Sequence, residues 1–416
     1  MGTLIMISTN LDASHAGKIP NGRLGLWLHA AIVFTLMFAV GWNSAAIAQM
    51  TENEKRASVG DAPADPGPLA TDLSPALEPN AVRTAMRKVA DWQNARIVKD
   101  PSQDWTFAVL YLGMLSASET LKNPRYSDTV LHVAEKYRWR LGPRKTHPDD
   151  QAIGQAYLWL NRQQPEPKHI QPIRSELDQV MNLPDDPKTP AWWWCDSLFM
   201  APPVWAELAA TTHDARYLAY MNREWSVTSD LLWDPQERLF FRDKSYFNKR
   251  EKNGSKVFWS RGNGWVMGGL VRVLQSLPDT DPHRGFYIDK LQQMAASIAK
   301  LQGPDGLWRA GLLDPQAYPL PEVSGSAFFV YAIAWGIDHQ LLDPNIYAPV
   351  VARGWAGLEA HIYASGRLGC IQPVGEAPGA YAADASSVFG VGAFLLAGSE
   401  VERMAANSQA IRTAAR

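Results

Sequence analysis

The sequence predicts an all-α chain folded as an (α/α)6 barrel, a closed ring of six helical hairpins. Three observations carry that prediction. Apolar residues recur at steps of three and four in one segment after another from Ala81 onward. The turns between those segments repeat a related wording, as stacked helical hairpins do. Strand-like stretches are short and local. An open helical solenoid is the alternative arrangement of the same elements.

The helical segments can be taken in order. Val82, Met86, Val89 and Trp92 mark one face of the first helix. Phe107, Leu110, Met114 and Leu121 keep the period in the second, and Val130, Val133 and Tyr137 in the third. Asn123-Pro124-Arg125-Tyr126 separates two of these patterns, and Asp214-Ala215-Arg216-Tyr217 occupies the same kind of place further on. Asp281-Pro282 and Asp343-Pro344 open later helices, because a short acceptor side chain followed by proline is a helix-start signal. About eleven to thirteen helices fit between residues 81 and 405 at this spacing. Leu239-Phe240-Phe241-Arg242 reads as one arm of a small hairpin following Trp233-Asp234-Pro235. The loops of such a ring gather at one end, so motifs in loops are candidates for a shared cleft.

Composition narrows the function. The chain has 416 residues, 40 Lys and Arg against 42 Asp and Glu, two Cys and 17 Trp. A net charge of −2 without a basic run argues against binding nucleic acid through counterion release. The tryptophan load points to carbohydrate, since the flat indole stacks on sugar rings. Lys18 and Arg23, an apolar run from Leu24 to Val40 and the small residues of Ala46-Ile47-Ala48 have the order of a secretory signal. Residues 1–48 are therefore expected to be cleaved from an exported, periplasmic protein, with an uncleaved anchor as the alternative. Residues 49–80 are expected to form a polar, disordered linker, residues 81–405 the catalytic domain and 406–416 a tail. Cys195 and Cys370 could pair in an oxidising compartment, although two buried thiols is the simpler expectation. The nine His lack zinc-site spacing, and no metal or other cofactor is expected.

Three segments carry chemistry. In Trp192-Trp193-Trp194-Cys195-Asp196 the three indoles cannot all face one core, so at least one faces a cleft, and Trp194 is the candidate. Asp196 among aromatics should keep its proton to higher pH than an ordinary carboxyl, which suits a general acid; a helix-start Asp is the other reading. In Trp259-Ser260-Arg261-Gly262-Asn263-Gly264-Trp265 two glycines bracket Asn263, so the backbone is expected to bend or to approach a ligand. Arg261 offers a planar fork for a carboxylate, with Trp259 and Trp265 beside it; pairing with a core acid is the alternative. In His147-Pro148-Asp149-Asp150, Asp149 reads as the helix cap and Asp150 as the acid turned to the cleft. With Asp196 it would supply two carboxyl groups at one site. Glu322, opening Glu322-Val323-Ser324-Gly325, reads as a cap.

These words, with HPDDQAIGQAYL and the C-terminal VFGVGAFLLAGSEV, resemble glycoside hydrolase family 105, the unsaturated rhamnogalacturonyl hydrolases and related unsaturated glucuronyl hydrolases, from about residue 82 to 403. The resemblance implies an (α/α)6 barrel without a metal cofactor. It implies oligosaccharide substrates ending in a 4-deoxy-hex-4-enuronic acid, as polysaccharide lyases leave them, with pectin or rhamnogalacturonan fragments favoured. It also implies that one aspartic acid protonates C4 and then activates the water that adds at C5. Asp196 matches that acid and Asp150 the assisting one. Trp259, Arg261 and Trp265 match substrate-contacting positions, to which Asn263 and Trp194 are added. Some members of that family carry a His in the hairpin where this chain reads Phe241-Arg242-Asp243. An enzyme for saturated acidic glycans and a non-catalytic glycan-binding protein are the rival readings.

Overall fold

Outer and inner helices are built from different patterns. Helix α3 (Arg125–Lys136) buries only Tyr126, Val130, Val133 and Ala134, a single stripe. Helix α2 (Trp105–Leu121) is buried almost all round, from Ala108 to Ser118. The computed structural model describes residues 61, 65–98, 101–184 and 190–414; the expected signal, 1–48, lies outside the described residues.

Each outer helix feeds an inner one. Helix α1 (Pro79–Ile97) precedes α2, and α3 precedes the single turn α4 (Pro148–Gln151) and helix α5 (Ile153–Gln163). Helix α6 (Pro167–Met181) leads to the turn α7 (Ser197–Met200) and to α8 (Pro202–Thr212), where Pro202 and Pro203 separate turn from helix. Helix α9 (Ala215–Leu232) leads through the hairpin β1 (Trp233–Asp234) and β2 (Leu239–Phe240) to α10 (Ser260–Ser276). Helices α11 (Arg284–Lys300) and α13 (Pro344–Glu359) precede α12 (Val323–Asp338) and α14 (Val388–Ala414).

The inner helices α2, α5, α8, α10, α12 and α14 each pack on the next, and α14 closes back onto α2. Small residues permit this closure. A methyl group on Gly113 or Gly392 would collide with the facing backbone of α14 or α2. The open solenoid is thereby excluded, and the toroid stands.

Two expectations need adjustment. Of the stretch expected as a disordered linker, residues 65–78 are described and partly pinned: Ala70 N–H donates to Ile362 O and Ala364 N–H to Pro68 O, both at 2.8 Å. The C-terminal segment beyond 405 continues α14 to Ala414 instead of leaving it as a tail. Cys195 and Cys370 are both buried free thiols, the simpler of the two expectations.

Candidate active site

Because every inner helix follows an outer one, all six run the same way, and the residues at their N-termini share one end of the ring. Asp196 sits immediately before α7. Its carboxylate caps no helix N–H; instead the Cys195 thiol donates to Oδ1 at 3.2 Å. Gly262, in the first turn of α10, makes room for it: a methyl group there would lie 3.0 Å from Cys195 Sγ and 3.6 Å from Asp196 Oδ1. Burial raises the pKa of Asp196, opposed by the nearby charge of Arg242, the Cys195 hydrogen bond and Arg261.

The second acid at this end is Asp149. Turn α4 packs against α7, and burial, followed by the charge of Asp196, pushes the Asp149 pKa up to about 7. Both carboxyls are thus held above the ordinary carboxylate range, Asp149 near neutrality. This differs from the sequence reading, which gave the role to Asp150. The cap is His147, whose Nδ1 accepts from Asp149 N–H at 3.3 Å, so Pro148 and not Asp149 opens the turn. Asp150 is committed elsewhere: Arg144 donates to it through Nη2 at 2.7 Å, Nε at 3.1 Å and its backbone N–H at 2.6 Å.

The coupling has a measurable consequence. A carboxyl whose folded pKa lies above its unfolded value holds a proton that the unfolded chain has already lost, so stability declines as pH rises from about 4 toward 7. Asp149→Asn removes that decline. The variant should be relatively more stable than the parent at pH 8 than at pH 4, as thermal melts at both values would record. An unchanged difference would place Asp149 in solvent.

Arg261 is 1% exposed, and its guanidinium is taken up by internal partners. It donates to Gln372 O at 2.5 Å and Pro373 O at 2.8 Å, lies 3.8 Å from the buried Glu322 and stacks 4.4 Å over Trp259. Glu322 caps α12 through Ser324 and Gly325 N–H and also accepts from Gln372 N–H at 3.1 Å. Trp259 donates through Nε1 to Gln372 Oε1 at 2.9 Å. Arg261, Trp259 and Glu322 thus hold the segment at Gln372 and Pro373 over the site. The expected substrate contact of Arg261 is replaced by an internal one, the alternative that its sequence context left open.

Asn263 is fully buried and binds the hairpin: Phe240 N–H donates to its Oδ1 at 2.8 Å, and its Nδ2 donates to Phe240 O and Trp259 O, each at 3.1 Å. The flanking glycines produce no bend; both lie within α10, and Gly264 packs against Gly325. Trp265 is a core residue among Phe199, Phe328 and Phe389. Trp194 is 5% exposed and packs near His147, whereas its neighbour Trp193 is 42% exposed. The indole that the triple-Trp pattern sends outward is therefore Trp193.

Two residues that the sequence reading did not select stand beside Asp196. Trp193 is one. Arg242 is the other: its backbone oxygen accepts from Cys195 N–H at 2.9 Å, and its guanidinium lies 5.4 Å from the Trp193 ring. Among the described residues no group of three or more His, Cys, Asp or Glu is placed to hold a metal ion.

A closed ring of helical hairpins with two coupled carboxyls beside an exposed indole at one end defines a carbohydrate-active enzyme equipped for acid catalysis. The chain belongs to Glycosyl Hydrolase Family 88, which it matches over residues 80–405. An unsaturated 3S-rhamnoglycuronyl hydrolase from Formosa agariphila is 38% identical over 347 residues, covering 79% of this chain and 92% of that one. A solved family 88 glycosyl hydrolase from Bacteroides vulgatus superposes with a TM-score of 0.74 at 31% identity, over 79% of this chain and 99% of that one. A solved protein named as a polysaccharide lyase gives 0.73 at 32%, over 78% and 97%. Solved proteins named as possible or assigned family 105 members share the fold, with TM-scores of 0.62–0.65 at 16–19% identity.

Proposed function

We propose that this glycoside hydrolase releases a 4-deoxy-hex-4-enuronic acid from the non-reducing end of lyase-generated oligosaccharides by hydrating the C4=C5 double bond. The observation that supports this reading is the buried Asp196, its pKa raised by burial, with Asp149 on the adjoining turn at the same end of the ring. The double bond is conjugated to the ring oxygen, so a proton delivered to C4 leaves a cation shared between C5 and that oxygen. Asp196 delivers the proton; its carboxylate then deprotonates the water that adds at C5. The hemiketal opens, and the glycosidic bond breaks with it. Burial keeps the Asp196 proton in place to higher pH than an ordinary carboxyl, and Asp149 beside it holds a second proton to near neutrality. One carboxyl serves as acid and then as base, so no fixed separation of a catalytic pair is required.

The sequence words favour a pectin or rhamnogalacturonan fragment, and the Formosa relative's name adds a second candidate for the neighbouring sugar, a rhamnose sulfated at O3. Unsaturated uronyl disaccharides ending in rhamnose, 3-sulfated rhamnose, galactose and glucosamine separate these by kcat/KM. Purified protein should abolish the ultraviolet absorbance of the conjugated uronate as the neighbouring sugar appears. A lyase reading, favoured by the name of one solved relative, predicts the opposite sign, a rise in that absorbance on saturated polysaccharide. Binding without any change in absorbance would leave only a glycan-binding protein.

Export belongs to the same proposal. The Arg23, apolar-run and Ala46-Ile47-Ala48 order supports cleavage after Ala48 and a periplasmic destination. N-terminal sequencing of the natively expressed protein should begin at Gln49. Cytosolic protein retaining Met1 or Met6 would contradict it.

A further inference from the structure

Arg242 is the cation beside Asp196 that the fold leaves unspent. Its side chain is 11% exposed, yet of its five N–H donors it makes one hydrogen bond, from Nη1 to Asp243 Oδ2 at 2.7 Å. Nε is buried without a partner. Nη2 lies 3.8 Å from Glu376, a side chain 74% exposed and beyond hydrogen-bond reach. A guanidinium withdrawn from water and so poorly satisfied is costly unless an acceptor arrives.

The surroundings fix where it points. Asp243 is itself anchored, accepting from Ser245 N–H at 2.7 Å, and so orients the fork. Asn263 clamps Phe240, two residues before Arg242, and Cys195 N–H holds the Arg242 carbonyl. The hairpin is thereby tied to the catalytic turn and to α10. Trp193, exposed beside the guanidinium, supplies a face for a sugar ring.

We infer that Arg242, with Trp193 as the stacking surface, receives the C6 carboxylate of the unsaturated uronate. This rests on the hydration reading above and names the group that recognises the acid. Chemistry selects the carboxylate over a sulfate on the neighbouring sugar. C6 is attached to C5, next to the C4 that Asp196 must reach, whereas the neighbouring sugar hangs from C1 across the ring. A cation adjacent to Asp196 meets the carboxylate first. A planar fork with free donors matches it in two-pronged fashion.

The test pairs enzyme and substrate changes. The parent, Arg242→Gln and Arg242→Lys are each assayed on an unsaturated uronyl disaccharide and on its C6 methyl ester, with and without sulfate on the neighbouring sugar. Arg242→Gln should raise KM for the free acid about ten- to a hundredfold, the worth of a charge-assisted pair, and change kcat less. On the ester its KM should stay close to the parent's, and the penalty should not depend on sulfate. Arg242→Lys, which keeps the charge without the fork, should fall between and serves if the Gln variant melts early. Equal penalties on acid and ester would make Arg242 a structural residue and overturn the inference. A penalty confined to sulfated substrates would assign it to the neighbouring sugar and overturn it too. A parent enzyme that consumes neither unsaturated substrate would sink the hydration reading itself, and this inference with it.

Discussion

Asp196→Asn should fold, bind sugar and turn over at roughly 10⁻² to 10⁻⁴ of the parent rate or below, because the residue serves as both acid and base. The amide is nearly isosteric with the carboxyl. The Cys195 thiol can still donate to its oxygen, and Asp196 caps no helix whose loss would disturb the fold. What disappears is the transferable proton and then the basic oxygen. The loss should fall on kcat, since the interaction is made in the transition state. Asp149→Asn should cost less, because it alters the proton held by the pair without removing the group that transfers it. Asp150→Asn should act on the Arg144 contact and leave chemistry nearly intact. A folded Asp196→Asn enzyme retaining a tenth of parental turnover would remove Asp196 from the reaction.

Arg261→Leu should cost about 3–5 kcal/mol of folding stability, the usual penalty for removing one partner of a buried ion pair. Glu322, 0% exposed, would lose the cation 3.8 Å away, and the carbonyls of Gln372 and Pro373 would lose their donors. The segment carrying Gln372 would loosen over the site, so KM should rise as a secondary effect. Arg261→Lys retains charge without the fork that reaches two carbonyls and should be milder. Urea unfolding of both variants checks this. A Leu variant within about 1 kcal/mol of the parent would return Arg261 to solvent and to the substrate-binding reading.

The sequence showed the ring because outer helices must bury one stripe, and stripes are visible as periodicity: Val130 and Val133 are buried as their spacing requires. Inner helices such as α12 are buried nearly throughout, so their pattern identifies a helix but not its facing. The site residues lie in the short turns that precede those helices, where the pattern is weaker still. Consecutive helical residues point about 100° apart, so one position separates Asp149 from Asp150 in the turn α4, whereas Trp193 and Trp194 lie in the irregular segment before α7, where no helical period applies. His147 taking the cap decided the first case. The glycines beside Asn263 were legible as a close approach, but the approach is helix to helix at Gly264 and helix to acid at Gly262. Arg242 carried no motif, and only the tertiary position of the hairpin beside Cys195 makes it a site residue.

The central claim is that a proton is placed on C4 before the glycosidic bond breaks. The decisive measurement is the reaction run in heavy water, with the released uronate examined by NMR at early times, before the neighbouring ketone can exchange its own hydrogens. Protonation in the site predicts one deuteron on a single face of C4 from the first turnovers, with absorbance lost in step with release of the neighbouring sugar. Release of that sugar while the conjugated absorbance persists, or label spread equally over both faces of C4, would contradict the account.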